Sequence, residues 1–571
     1  MRRLLSGHGA SRGSALGRAR VRLPHVLEVA EQRIRARDVE DEISRLHAAV
    51  AAARAEMQDL RTRLHGALAR EVGEFLDLHA LLLDDPELLQ GLDELIRSGR
   101  YGADYALRVQ RDRLAGVFQN MDDAYLKSRM DDLDHVIGRI HAHLHSRAAD
   151  PEGLAGEILV CDNVAPSELA QLQAQGVVAV VSAAGSPLSH SAILARSLHL
   201  PLVVGAAQAL HKINDSDVLI VDGDTGALVV EPSAADLREF RQRLKEGERA
   251  RRELDRLRGK PTRTRDGVDI ALHANAESRE DVARAHALGA AGIGLYRTEF
   301  LFLQRAELPS EEEQFLAYRD VVLGMAGRPV TIRTLDLGAD KADRTGLALK
   351  GEDNPALGLR GVRLSLAHAK VFDTQLRAIL RASGYGPVRV LVPMVAVREE
   401  VLLVRRRLHR LAAQLRRQGH EVAAEVPLGA MIEVPAAALC VDLVIDKVDF
   451  LSIGTNDLVQ YLLAADRNND ALGELYSPLR PAVLRVLDHV LRAGRQAGKP
   501  VNVCGEIAAD ARLVPALLAL GLEHFSLHPG TMLEVRKAIR EADHAALRAR
   551  APVLLAARDR AGIERWLQST R

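Results

Sequence analysis

The sequence predicts an α/β multidomain protein: a helical hairpin subdomain inserted in an α/β domain, followed by a C-terminal (β/α)8 TIM-type barrel. Three observations carry this. Beyond Gly259 eight strand-like runs alternate with helical ones, the pattern of a closed barrel. Residues 25–147 hold long runs with helical apolar spacing. Short β-branched runs bracket that helical stretch on both sides. With 571 residues the chain is also too long for one ordinary core.

In order, Gly7-His8-Gly9-Ala10-Ser11-Arg12-Gly13 is Gly-rich and Ala19-Arg20-Val21-Arg22-Leu23 reads as a strand. The Gly-rich stretch lacks a Walker lysine and the full dinucleotide fingerprint, so a tight turn is expected rather than a phosphate cradle. From Val39, apolar or alanine positions recur at Ile43, Leu46, Val50, Ala53, Met57, Leu60, Leu64 and Ala67. The alternation of four and three predicts a long helix with a seam. Stops follow at Asp84-Asp85-Pro86 and Ser98-Gly99, and a last helical segment runs from about Asp122 to Ser146. Paired antiparallel hairpins are expected, serving either as a spacer or as a docking surface.

From Glu157 the pattern changes to strands at Ile158–Val160, Val177–Val181, Leu202–Val204, Val218–Val221 and Leu228–Val230. Gly185 to Pro187 is a turn, and Ser189 is placed to cap a helix through about Leu198. That puts His190 at a helix N-terminus, where unpaired N–H groups and the dipole favour negative charge. Taken by itself, such a histidine is more often a capping-region residue that packs or faces solvent than a catalytic one. Ser233–Arg258 is charged throughout with sparse apolar points and reads as a linker helix. The domains expected are therefore 1–24 with 148–231 (α/β), 25–147 (helical), 232–262 (linker) and 263–571 (barrel).

Lys plus Arg and Asp plus Glu both number 77, so no basic excess points to nucleic acid or a membrane surface. The three cysteines, Cys161, Cys440 and Cys504, are far apart, which speaks against a disulfide framework or zinc cluster. The chain begins Met-Arg-Arg-Leu-Leu-Ser-Gly without the apolar core of a signal peptide, and no apolar run would span a bilayer. A soluble cytoplasmic protein is expected, without nucleic acid and without membrane insertion.

At the barrel strand ends stand Arg297, Arg333, Glu433, Asn456, Asp457 and Cys504-Gly505-Glu506, with Arg467 just past strand six. Each alone is compatible with an ordinary salt bridge or inert packing. Together, arginine forks suit phosphate and carboxylate oxygens, and paired acids suit Mg2+. The substrate implied is a small, doubly anionic phosphorylated acid.

Over essentially its whole length the chain resembles Enzyme I of the bacterial phosphotransferase system, the phosphoenolpyruvate-protein phosphotransferases. The likeness rests on Gly292-Ile293-Gly294-Leu295-Tyr296-Arg297-Thr298-Glu299-Phe300-Leu301-Phe302, Gln375 to Ser383, Ser452-Ile453-Gly454-Thr455-Asn456-Asp457-Leu458 and Val503-Cys504-Gly505-Glu506. It implies that the α/β domain carries a phosphohistidine, His190, and that the helical subdomain binds a carrier. The barrel would then bind phosphoenolpyruvate and form a homodimer. It also implies that Arg297, Arg333 and Arg467 bind substrate, that Glu433 and Asp457 hold Mg2+, and that Asn456 contacts phosphate. Cys504 would donate a proton to the enol carbon, at an ordinary thiol pKa of about 8.5, with Arg360 and Lys341 adding positive charge.

The resemblance further implies transfer from His190 to the phosphocarrier protein HPr, with release of pyruvate, in sugar uptake. A nitrogen-related relay or a non-catalytic regulatory homologue are the alternatives. A dikinase or synthase relative would need an ATP-binding domain that the first 150 or so residues do not offer. The chain departs from the family at Leu188 and Ala165, where threonines are usual, leaving Ser167, Ser189 or a backbone carbonyl to orient His190. Gly338-Ala339-Asp340-Lys341 is also changed. With donor and acceptor sites on different domains, the linker helix is expected to act as a swivel.

Overall fold

The computed structural model describes residues 2–22, 31–63, 79–119, 124–145, 154–164, 166–187, 189–303, 307–337, 352–467, 472 and 475–570. Two compact units are formed, Met1–Glu248 and Arg249–Arg571.

In the first unit one sheet contains β1 (Arg3–Ser6), β2 (His8–Ser11), β3 (Ser14–Arg22), β4 (Glu157–Cys161), β5 (Ala179–Ser182), β6 (Leu202–Val204), β7 (Val218–Asp222) and β8 (Ala227–Val230). Their spatial order is β1-β8-β7-β3-β4-β5-β6-β2. The run β3-β4-β5-β6 is parallel and the remaining pairs are antiparallel. Parallel strands are covered on both faces, and the period of two divides them here. Leu159, Cys161, Val180 and Leu202 join one apolar cluster, and Ile158, Val160, Val181 and Val203 join the other.

The Gly-rich N-terminal stretch is not the tight turn expected of it. His8–Ser11 forms β2, antiparallel to β6, with an irregularity between Gly9 and Ser11. The glycines serve close backbone approach instead: a Cβ at Gly7 would lie 2.6 Å from the Val204 carbonyl oxygen, and one at Gly9 2.5 Å from that of Gly223.

Between β3 and β4 lie α1 (Val39–Arg63), α2 (Pro86–Arg97), α3 (Ala103–Gln119) and α4 (Ala124–Leu144). The seam of α1 is buried at Ile43, Leu46, Val50, Ala53 and Met57. Leu64, Ala67 and the Leu60 side chain lie outside the described residues. Asp85 caps α2 by accepting from the Glu87 N–H at 2.8 Å, with Pro86 as first helical residue. The buried side of these helices and one face of the sheet share a single apolar cluster. After α5 (His190–Ser197) and the last strands comes the linker helix α6 (Ala234–Asp255), in which only Phe240 is buried.

The second unit is a closed barrel of β9 (Ala271–Ala276), β10 (Ile293–Tyr296), β11 (Val330–Arg333), β12 (Val388–Val392), β13 (Leu428–Ile432), β14 (Phe450–Gly454), β15 (Val501–Cys504) and β16 (His524–Leu527). Every neighbouring pair is parallel, and β16 closes on β9 with Ser526 opposite His273. Val390 and Val392 belong to the large core shared with the outer helices. Leu391 between them belongs to a separate small cluster with Leu295, Met431, Phe450 and Cys504. Alternation along the strands therefore turns that second set into the barrel. Among the described residues no helix is long and apolar enough to cross a membrane.

Candidate active site

The His190 helix is built as its sequence suggests. Ser189 is extended (φ −64°, ψ 157°), and its hydroxyl oxygen accepts from the Ala192 N–H at 3.2 Å. The turn before it uses Gly185 at φ +97°, and the Ser189 N–H donates to the Ser186 carbonyl at 3.0 Å. Arg196 steadies this approach by donating to the carbonyls of Pro187 and Ala10, both at 3.2 Å. Ser191 Oγ donates to the Val164 carbonyl at 2.7 Å, tying the first turn of α5 to the loop after β4. The backbone of His190 opens the helix; its imidazole, Leu188, Ala165 and the Ser167 side chain lie outside the described residues.

In the barrel unit the predicted residues sit at the carboxyl ends of the strands. Arg297 follows β10, Arg333 ends β11, Glu433 follows β13, Asn456 and Asp457 follow β14, and Cys504 ends β15. A half-buried to buried ladder of charge links several of them. Arg333 Nη2 donates to Glu299 Oε1 at 3.0 Å, and its Nη1 lies 3.2 Å from Asp336 Oδ2. Asp336 in turn accepts from Arg360 Nε at 3.2 Å and Nη2 at 3.0 Å. Arg360 Nη1 then reaches Asp457 Oδ1 at 3.4 Å and the Tyr461 hydroxyl at 3.2 Å. Burial works against charge on Arg333 and Arg360, but their carboxylate neighbours outweigh it and both pKa values are raised.

Glu433 is buried, and one of its oxygens accepts from the Met394 N–H at 2.6 Å. Burial first, then the charges of Asp457 and Asp336, lifts its carboxyl above the ordinary range. Surplus negative charge on hard oxygens suits a divalent cation at Glu433 and Asp457. Arg333 Nε is buried without a hydrogen-bond partner among the described residues, so this fork retains a donor for an anionic oxygen. Gly454 lies against the acid: a Cβ there would be 2.5 Å from Glu433 Oε2.

The Cys504 thiol donates to the Ile453 carbonyl at 3.1 Å and receives the Ser452 hydroxyl at 3.6 Å. Burial pushes its pKa up to about 11, higher than an ordinary thiol, while the charges of Glu433, Arg333 and Arg297 also act on it. Thr455 Oγ1 donates to the Cys504 carbonyl at 3.0 Å, and Asn456 Oδ1 accepts from the Glu506 N–H at 3.2 Å. Gly505 at φ +98° makes this junction possible, since a Cβ there would fall 2.3 Å from Thr455 Oγ1 and 2.8 Å from Asn456 Oδ1.

Arg297, Arg333, Arg360, Glu433, Asp457 and Cys504 are thus brought together, with Asn456 beside them. Arg297 is ion-paired to Glu277. Arg467 is not part of the ladder. It is exposed, its N–H donates to Gln460 Oε1 at 3.3 Å, and its charge acts on Tyr476, whose hydroxyl donates to the Asn456 carbonyl at 3.1 Å. Lys341, with Gly338, Ala339 and Asp340, lies outside the described residues. Glu299, Asp336 and Tyr461 were not singled out from the sequence. Glu299 and Asp336 stand two and three residues beyond Arg297 and Arg333, Glu299 within the Gly292 to Phe302 stretch, whereas nothing in the sequence distinguishes Tyr461.

Three family descriptions match the chain: "PEP-utilising enzyme, PEP-binding domain" over residues 251–544, "PEP-utilising enzyme, N-terminal" over 6–129 and "PEP-utilising enzyme, mobile domain" over 153–226. The chain is 43% identical over 548 residues to a phosphoenolpyruvate-protein phosphotransferase of Cupriavidus necator, covering 94% of each. Proteins of the same name from Geobacillus stearothermophilus (41% identity, 94% of this chain and 93% of the relative) and Listeria monocytogenes (37%, 95% of each) are also similar.

Proposed function

The chain belongs to the phosphoenolpyruvate-protein phosphotransferase family of PEP-utilising enzymes, and from that premise we propose that it moves the phosphoryl group of phosphoenolpyruvate to its own His190. From there the group passes to a histidine of the phosphocarrier protein HPr, and pyruvate is released, as the first step of sugar uptake. In this reading Arg297, Arg333 and Arg467 bind the substrate's anionic oxygens, Asn456 contacts phosphate, and Arg360 and Lys341 add positive charge. Glu433 and Asp457 would hold Mg2+, which supplies charge neutralisation at the phosphoryl oxygens when bound.

A neutral His190 attacks phosphorus, the bond from phosphorus to the enol oxygen breaks, and Cys504 gives its proton to the methylene carbon of the departing enolate. The observation that carries the reading is the buried Cys504 thiol, held protonated by burial, under the charges of Arg297, Arg333 and Glu433. Proton donor and phosphate-matching forks stand at one barrel mouth.

The remaining assignments belong to the same proposal. HPr docks on residues 25–147, within a layout of 1–24 with 148–231, 25–147, 232–262 and 263–571. The barrel domain pairs two copies, and the enzyme works in the cytoplasm. Incubation with labelled phosphoenolpyruvate and Mg2+, without ATP, tests the chemistry: acid-labile label is expected on the wild type and none on His190→Ala. Failure to label the wild type would overturn the reading. Offering the labelled enzyme HPr and a nitrogen-branch carrier in parallel separates the sugar role from the nitrogen-related one.

A further inference from the structure

Within the first unit, the helical region assembles two imidazoles and a carboxylate that the phosphoryl-transfer chemistry does not use. His141 and His145 stand four residues apart at the end of α4, a spacing that puts side chains on one face. The His145 N–H donates to the His141 carbonyl at 3.3 Å, so the helical spacing is kept at the second histidine. Asp104, in the first turn of α3, faces both. His145 Nε2 lies 2.9 Å and His141 Nε2 3.6 Å from the same oxygen, Asp104 Oδ1. The ring centroids are 4.6 Å apart and tilted by 55°. Among the described residues this is the group of three His, Cys, Asp or Glu side chains whose ligand atoms all lie within 4.8 Å of one another.

The carboxylate is also oriented from behind. Arg45 Nη2 on α1 donates to the other oxygen, Asp104 Oδ2, at 3.3 Å. Arg45 is itself fixed by Glu42, one of whose oxygens accepts the Ala103 N–H at 2.8 Å. Oδ2 is thus spoken for by the cation, and Oδ1 is turned to the histidines. Ligand atoms about 2.0–2.2 Å from a zinc ion in tetrahedral array stand roughly 3.3–3.6 Å from each other, close to the spacing to Oδ1 seen here. The side chains of His141 and Asp104 are about one-fifth exposed and that of His145 is 43% exposed, so an ion has an entry path.

We propose that Asp104, His141 and His145 form a site for a borderline divalent transition cation, Zn2+ by ligand type, with water completing the coordination. Two imidazole nitrogens and one carboxylate oxygen match Zn2+ and its Co2+ surrogate and disfavour Mg2+, which takes hard oxygen ligands. The ion joins the start of α3 to the end of α4. It displaces the hydrogen bond between His145 and Asp104 without a new fold.

The test uses the full-length protein, stripped with chelator and kept in excess Mg2+ so that oxygen-rich sites are filled. Co2+ is titrated first, and a strong visible band of four-coordinate cobalt with one ion bound per chain is expected. Zn2+ titrated calorimetrically should bind at the same stoichiometry and displace the Co2+ signal. His141→Ala and Asp104→Asn should each weaken binding by at least about tenfold, while His143→Ala, which alters the neighbouring His143–Glu56 contact, should leave it unchanged. Binding that is equally tight in His141→Ala, or a wild-type cobalt spectrum of purely six-coordinate character, would overturn the assignment. The spectrum does so without relying on any variant.

Discussion

The chemistry proposed for the barrel turns on the protonation state of one thiol. Its pKa near 11, raised by burial, means that Cys504 carries its proton across the neutral range. Cys504→Ala should therefore lower pyruvate formation by roughly 10²–10⁴-fold, measured as pyruvate released per enzyme, while Mg2+ binding stays largely intact. Unchanged turnover would remove the thiol as the donor. The positions of Arg297, Arg333, Glu433, Asp457 and Cys504 were legible because a barrel strand announces its own end, the face where such barrels keep their active sites, and because cationic forks, acids and a thiol coincide there. Their ion-pair partners were not. Whether Arg333 takes Glu299, Asp336 or substrate depends on which loops meet above the strands, and that is a tertiary property. Arg467 stands exposed outside the ladder.

At the scale of elements, the barrel's closing seam is the most instructive place. His273 on β9 and His524 on β16 stack with centroids 6.0 Å apart at 18°. Burial, with help from His524 and Arg389, depresses the His273 pKa to about 3. The folded barrel thus holds it neutral while the unfolded chain protonates it below about pH 6.5. Stability from this group is present above that pH and lost as pH falls toward the folded value. Going from about pH 7 to about pH 5 should cost the wild-type barrel about 2 kcal/mol through His273 alone. His273→Gln should not show this loss, in urea unfolding followed by fluorescence of Trp566, the chain's one tryptophan, which sits in the barrel unit. An unchanged acid slope in the variant would contradict it. Strand recognition worked for the barrel strands and failed at β1 and at β2, whose small polar residues carry no strand signal of their own. The β6 edge and the tight approach of Gly7 and Gly9 make that strand.

For the whole molecule, the division at Glu248 and Arg249 places His190 and the barrel mouth in separate compact units. A fragment of residues 1–248 should fold by itself, accept phosphate from phosphorylated HPr and refuse it from phosphoenolpyruvate. Native-gel shifts and label transfer would check this, and direct labelling by phosphoenolpyruvate would defeat the division of labour. In the intact chain a crosslink locking the α/β portion to the barrel should halt flow between the two half-reactions. Undiminished flow would show that no swivel operates.

The linker helix α6 buries Phe240 and little else, and its middle is solvated from Arg241 to Arg252. A helix without tertiary support opens locally at low cost, and this one carries Arg249, Arg251 and Arg252 where the two units divide. Brief trypsin treatment should nick the native enzyme there first, releasing two intact pieces of unequal mass. Among the described residues, the stretch expected to permit reorientation would thus also be the one most open to attack in protease-rich surroundings.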